Sequence, residues 1–357
     1  MRKLLVSALS SVVAIVGVGA LAGPAQARPG FNQAGDILIA DQFNNRAIEV
    51  NREHQIVWSF GDGSQVAGPH SIVGLNDAER VGPLTLMAGT GAPPAPSPTE
   101  PGCETNGCPD NRVILVNPAG HILWQYGQAG VTGFGPNQLN TPVFSAALPH
   151  HHVLITDQGN SRVIEVNHQH EIVWQYGTTN SPGVGFDQLN NPNSGELLAN
   201  GDILIADENN NRVIEVNRQH QIVWQYGDPS NTSIINGAAF ASRLPNRDTL
   251  ITDTGNSRVL EVSPTGVVVW SYVTNTRTGS ISSPLPTRAV RLANGDTLIS
   301  DQFNHQVIEV NHAKTIVFSQ GMIGVTGTGF DQLNAPYDAK QIGDYTGLTP
   351  PSGFESP

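Results

Sequence analysis

The sequence predicts an all-β chain folded as a six-bladed β-propeller with four-stranded blades, and three observations carry that prediction. One motif recurs six times, marked by Trp58, Trp124, Trp174, Trp224, Trp270 and, in the sixth copy, Phe318. Within each copy, short runs rich in Val, Ile and Leu are punctuated by Gly and Pro, and helix signals are almost absent. The first copy lacks one strand, and the missing piece stands at the far end of the chain. A repeat of this kind overrides the two-domain expectation that length alone would give.

At the start of the chain, Met1-Arg2-Lys3, an apolar run over 4–21 and Ala25-Gln26-Ala27 supply the charged start, hydrophobic middle and small-x-small site of a secretory signal peptide. Residues 1–27 are therefore expected to be removed, and the mature protein to be secreted or periplasmic. An uncleaved membrane anchor is the competing reading, but Ser and Gly dilute the run and the processing site follows it at once. Cleavage removes Arg2 and Lys3 from the 18 basic residues, so 16 face 30 acidic ones and the formal charge moves from −12 to −14. No basic stripe or amphipathic basic face accompanies that balance, so neither nucleic acid nor an anionic membrane is an expected partner. A monomer is the expected state.

The fourth copy shows the repeat clearly. Gly201-Asp202-Ile203-Leu204-Ile205-Ala206-Asp207, then Arg212-Val213-Ile214-Glu215-Val216-Asn217, then Ile222-Val223-Trp224-Gln225-Tyr226-Gly227 read as three strands separated by turns. Ahead of them, Leu189-Asn190-Asn191-Pro192 leads into a fourth, inner strand at Asn193-Ser194-Gly195-Glu196-Leu197-Leu198. The first copy begins almost directly at Gly35-Asp36-Ile37 and has no such lead. Its counterpart is Phe330-Asp331-Gln332-Leu333-Asn334-Ala335-Pro336-Tyr337-Asp338-Ala339-Lys340, beyond the sixth copy. The C-terminus is thus expected to supply the inner strand of the N-terminal blade, closing the ring and hiding the end sheets from edge-to-edge pairing. A linear solenoid would instead want two polar caps. On this reading the propeller spans 28–345, with a C-terminal tail at 346–357.

One segment breaks the repeat. The insertion 90–107 carries Pro93, Pro94, Pro96, Pro98 and Pro101, and the only two cysteines of the chain, Cys103 and Cys108, lie at its end. In an exported protein a disulfide is expected, because a structural zinc site needs four ligands and no Cys or His nearby completes one. The insertion is expected on the face that carries the channel mouth.

The Gly-Phe-Asp-Gln-Leu-Asn-x-Pro approach, the Asp207-x-x-Asn210-x-Arg212 turn and the closing Gly227 resemble the repeat of NHL-repeat propellers over nearly all of the mature chain. Leu244-Pro245-Asn246-Arg247-Asp248 and Leu292-Ala293-Asn294-Gly295-Asp296, with the strands that follow, are also similar to arylsulfotransferase-type propellers. The first resemblance implies the fold. It implies no single activity, because such propellers include lyases, hydrolases and binding modules. The second implies a channel histidine acting as transient sulfuryl acceptor, normally followed by Asp. Here the channel histidine would be His70, and Ser71 follows it.

Several polar features recur with the blades. Asp41, Asp157, Asp207, Asp253 and Asp301 each stand five residues before Arg46, Arg162, Arg212, Arg258 or Gln306. A ring of carboxylates invites Ca2+, but an Asp closing one strand and an Arg opening the next can pair and hold the turn, and residues present in every repeat build the repeat. No cofactor is required by the sequence, and no metal site is assigned. His54, His170 and His220 share one turn position with Gly120 and Gly266, which suggests positive φ. His150, His151 and His152 form a denser cluster that could bind a transition metal adventitiously. The tryptophans are expected to pack between blades. Neither a phosphate loop nor a Gly-x-Ser-x-Gly elbow is present.

Positions that differ from blade to blade at the start of the inner strand are the candidate site. The first column is read as Tyr337, His70, Val143, Asn193, Ala239 and Thr287, the second as Asp338, Ser71, Phe144, Ser194, Phe240 and Arg288, and the third as mostly small residues, with Ile72 as the exception. These are expected around the mouth of the central channel. His70, Asn193, Arg288, Tyr337 and Asp338 form the predicted ligand-binding set. In an enzyme, His70 would act as base or nucleophile, Asp338 would orient it and Arg288 would bind an anion. The expected function is an exported binding or scaffold propeller for a small molecule or peptide, with a lyase, hydrolase or sulfotransferase as the alternative. Convergence of His70, Arg288 and Asp338 on a solvent-facing point would favour the enzyme, and burial or separation would favour binding. Arg288→Ala is expected to spare stability and Asp207→Ala to reduce it.

Overall fold

The computed structural model describes residues 29–353; the expected signal peptide lies outside them. The strands form six four-stranded antiparallel sheets, each in contact with the next, and the sixth returns to the first. Blade one consists of Pro336–Gln341, Ile37–Asp41, Arg46–Val50 and Ile56–Phe60, from the axis outward. Blade two consists of Leu75–Val81, Leu84–Ala92, Cys108–Val116 and Ile122–Gly127, and blade three of Pro142–Leu148, His152–Asp157, Arg162–Val166 and Ile172–Tyr176. Ser194–Leu197, Ile203–Asp207, Arg212–Val216 and Ile222–Gly227 make blade four. Ala238–Arg243, Thr249–Asp253, Arg258–Val262 and Val268–Val273 make blade five, and Pro286–Arg291, Thr297–Asp301, Gln306–Val310 and Ile316–Gln320 make blade six.

Blade one closes the ring as the chain ends require. Ile37, Leu38 and Ile39 pair with Gln341, Lys340 and Ala339 in antiparallel register. The second strands, such as Ile37-Leu38-Ile39-Ala40, are buried on both faces, which is why they read as continuous apolar runs instead of alternating ones. The core lies between blades, as clusters that each draw on adjacent sheets.

Turn chemistry explains the repeated residues. After each second strand except that of blade two, a one-turn 3-10 segment ends at a residue in the left-handed region: Asn45, Ser161, Asn211, Ser257 or His305. The outer strand ends hard against that residue. A Cβ at Gly227, whose φ is +95°, would stand 2.4 Å from the Asn211 carbonyl oxygen, so only glycine fits there. The histidine turns behave as expected, with φ of +63°, +68° and +64° at His54, His170 and His220.

Each Asp–Arg pair holds a turn. Asp207 Oδ2 accepts from Arg212 Nε at 2.7 Å and from Asn210 at 2.8 Å, while its Oδ1 accepts the Asn190 amide of the lead loop at 2.8 Å. The same arrangement recurs at Asp41, Asp157 and Asp253. Blades two and six reach it by other routes. Blade two has Gly89 where the others have Asp, and Asp110, from the third strand, occupies the space a Cβ at Gly89 would need and pairs with Arg112 at 2.5 Å. Blade six has Gln306 in place of Arg, and Arg277 from the preceding loop pairs with Asp301 and donates to Gln306 at 2.7 Å. A pairing restored after the loss of either partner is part of the scaffold.

The tryptophans pack between blades and carry a second device. Arg80, Arg218, Arg243 and Arg291 lie 4.8, 5.0, 4.8 and 5.3 Å from the ring centres of Trp58, Trp174, Trp224 and Trp270. The same guanidinium groups pair with Glu49, Glu165, Glu215 and Glu261.

Candidate functional site

An inner strand is an edge strand whose outward amides face the channel with no neighbour to pair with. Carboxylates of the preceding blade meet that need. Asp338 Oδ2 accepts the Ala78 amide at 3.2 Å, Asp77 Oδ2 the Ser145 amide at 3.2 Å, and Glu79 Oε2 the Ala147 amide at 2.9 Å. These carboxylates are buried, and cations come with them. Arg288 donates to Asp338 at 3.0 Å and to Asp77 at 3.4 Å, and Lys340 donates to Asp77 at 2.7 Å and to Asp338 at 2.5 Å. The Arg288 guanidinium also lies 4.5 Å from the ring centre of Phe240 and 5.3 Å from that of Phe144. The middle of the channel is therefore filled by a buried, mutually paired charge cluster backed by aromatic rings. Burial raises Asp77 and Glu79. Burial acts on Asp338 too, but Lys340 and Arg288 together outweigh it and hold this carboxyl below the usual range.

Beneath this cluster, residues 344–353 cross the face formed by the inner hairpins. Tyr345 Oη donates to the Arg80 carbonyl at 3.2 Å, and Leu348 packs in the cluster that contains Phe144, Ile203 and Ile205. The Thr349 amide and hydroxyl both bond Glu196, and the Thr349 hydroxyl accepts the Leu197 amide at 2.9 Å. Burial moves Glu196 up to about 7, against the pull of those Thr349 bonds.

At the opposite end lies the mouth, on the face where loops lead into the inner strands. One ring comes from the residues that follow the turn Asp of five blades and Gly89 of blade two: Gln42, Thr90, Gln158, Glu208, Thr254 and Gln302. A second comes from the inner strands. Gln302 donates to Gln42 at 2.7 Å and Gln42 to Asn76 at 2.8 Å. On the far side, the Asn193 amide nitrogen donates to Glu208 at 2.8 Å and to the Tyr337 hydroxyl at 2.8 Å, so Tyr337 reaches across from blade one to blade four. Gln158 also donates to Glu208, at 3.2 Å. A cleft of about 390 Å3 opens beside these groups, between Gln42, Asn76 and Gln158 and the Cys-bearing insertion. The insertion thus stands on the mouth face as expected. Its Cys103–Cys108 disulfide is formed, and its Glu100 accepts from Asn45 of blade one at 2.7 Å.

The structure corrects the predicted set in two ways. Arg288 and Asp338 meet each other, but fully buried and not at a solvent-facing mouth; edge amides and the neighbouring blades close over them. His70 is exposed on the lead loop and bonds neither of them. The inner strand of blade two begins six residues later than expected, so that Asn76, Asp77 and Ala78 take the places assigned to His70, Ser71 and Ile72. Leu75-Asn76-Asp77 imitates the Leu-x-Asn-Gly-Asp hairpin of other copies, whereas the true hairpin is Gly82-Pro83, with Gly82 at φ +58°. The available signal was the third column: Ala78 makes it uniformly small, and Ile72 did not. Asp77, central to the cluster, was missed with that register, and Lys340, two residues beyond Asp338 on the inner strand of blade one, lay outside the three columns. Tyr337 and Asn193 stand at the end of the channel where the loops lead into the inner strands, and both are buried.

Of the remaining histidines, His152 pairs with Glu165 at 2.6 Å. Among the described residues no three His, Cys, Asp or Glu side chains converge to hold a metal, and no helix is long and apolar enough to cross a membrane.

Fold and channel together define a six-bladed β-propeller with a plugged axis and a polar mouth. No protein-family model matches the chain, and no curated protein matches its sequence. Among solved structures it is similar to a Bacteroides caccae protein of unknown function, at 12% identity and TM-score 0.58, over 86% of this chain and 98% of that one. It is also similar to a virginiamycin B lyase from Staphylococcus aureus, at 10% and 0.50, over 85% and 88%, and to a chain of a nidogen/laminin complex, at 10% and 0.51, over 80% and 92%. At such identities the likeness establishes the fold alone.

Proposed function

We propose that this protein is an exported binding propeller that takes a small molecule or a peptide at the mouth of its central channel, without catalysing a reaction on it. The observation that carries this reading is the state of the residues an enzyme would need. Arg288 and Asp338 are buried and spend their charges on each other, on Asp77 and Lys340, and on edge amides, while His70 stands apart. A catalytic base needs its orienting carboxylate and anion-binding cation at one shared substrate, and neither buried group reaches His70. The mouth, by contrast, presents several neutral hydrogen-bonding side chains and one carboxylate beside an open cleft, the composition of a recognition site. The formed disulfide supports export, since such bonds persist in oxidising compartments.

A thermal-shift screen of small molecules and short peptides tests the proposal, since a ligand of the folded state raises its melting temperature. Hits should lose their effect in Gln158→Trp, which fills the mouth. Turnover of any hit, followed by mass spectrometry and abolished by His70→Ala, would establish the enzyme instead.

A further inference from the structure

We propose that the mouth recognises a primary ammonium group, held by Glu208 and Asn193; this rests on the mouth being the binding site. The argument begins with symmetry. The ring position just after Asp41, Gly89, Asp157, Asp207, Asp253 and Asp301 holds Gln42, Thr90, Gln158, Glu208, Thr254 and Gln302, so five blades manage with a neutral side chain. The scaffold therefore does not require a charge at Glu208. The turn carboxylates all have an arginine, whereas Glu208 forms no ion pair among the described residues. It keeps part of its surface accessible yet sits deep enough in the mouth for burial to push it up to about 7. A carboxylate held there without a cation has one missing partner.

Asn193 supplies the second, independent observation. Its amide nitrogen spends both protons, on Glu208 and on Tyr337, which fixes the orientation of the group. Its Oδ1 is then an acceptor, on a side chain that is 1% exposed, with no hydrogen-bond partner. Glu208 receives Asn193 and Gln158 on Oε2, leaving Oε1 without a protein donor. Two bare acceptors, one of them charged, stand on adjacent side chains. A primary ammonium offers three donors and the complementary charge. The acidic balance of the chain would steer a cation toward it.

The ammonium could belong to a small amine or to a peptide. Benzylamine and benzyl alcohol form one matched pair of probes, and a tripeptide amide with a free or an acetylated N-terminus forms the other. Binding is measured at pH 8 by calorimetry on wild-type protein, Glu208→Gln and Gln158→Trp. Glu208→Gln installs the residue that three other blades carry and should leave melting unchanged or higher. We expect at least one amine probe to bind, its neutral partner to bind at least 10-fold more weakly, and Glu208→Gln to cut amine affinity at least 10-fold. Preference between benzylamine and the free peptide separates the two sources. If probes bind and Gln158→Trp abolishes binding while Glu208→Gln leaves it unchanged, the ammonium assignment is overturned and the mouth stands. If binding survives Gln158→Trp, the mouth itself is wrong. Failure of both amines to bind at millimolar concentration also overturns the assignment.

Discussion

The guanidinium of Arg288, in blade six, donates to the carboxylate of Asp338, in blade one, at 3.0 Å, and neither side chain is exposed. A buried ion pair of this kind contributes little net stability as a pair, but losing one partner strands the other charge in a buried site. Arg288→Ala would leave Lys340 alone to neutralise Asp77 and Asp338. We expect it to lower unfolding free energy by about 3–5 kcal/mol in urea titrations, reversing the expectation that a residue without a symmetry role can be removed cheaply. Combining Arg288→Met with Asp338→Leu should recover part of that loss. Equal destabilisation by the single and double variants would show that the pair is not the relevant unit.

Arg277 offers a test of the turn staple. Its removal leaves Asp301 buried without a cation, so Arg277→Ala should destabilise the protein. Five blades carry an arginine at the position held in blade six by Gln306, and in four of them it pairs with the Asp that ends the second strand. Gln306→Arg in the Arg277→Ala background should therefore restore the melting temperature, read by circular dichroism. A double variant no more stable than Arg277→Ala would contradict the equivalence.

Glu196 predicts a pH dependence. Burial raises its folded-state value from about 4.5 to about 7, so the folded protein holds this proton more tightly than the unfolded chain. Its contribution is then fully present below about pH 4.5 and is lost as pH rises through about 7, with an upper limit on the order of 3 kcal/mol. The difference in stability between Glu196→Gln and wild type should widen in favour of the variant between pH 5 and 8. A constant difference across that range would refute the shift.

Closure of the ring predicts the effect of truncation. Ending the chain at Phe330 removes Pro336–Gln341, the inner strand of blade one, and with it Asp338, Lys340 and the crossing tail. Ile37–Asp41 then becomes an exposed edge with unsatisfied amides. Such a protein should aggregate, seen by size-exclusion chromatography. Ending at Gly343 keeps the strand and removes only the crossing segment, and should leave a monomeric propeller with a lower melting temperature.

The architecture was legible in the chain because that information is local and repeated. Alternation of apolar runs, the Asp207-x-x-Asn210-x-Arg212 turn and the obligatory Gly227 each depend on contacts within one blade, and six copies of a local rule reinforce one another. Blade closure was legible for the same reason, since the strand absent before Ile37 reappears at Pro336. What the unrepeated residues do was settled only by the closed ring. Arg288, Asp77, Asp338 and Lys340 come from three blades and meet on the axis, where the free edges of the inner strands demand acceptors and burial demands paired charges. Nothing local distinguishes an Asp that caps an edge amide from one that faces a ligand. The same holds for Glu208, whose lack of a cation is a property of everything around it and so is visible only once the six blades have come together.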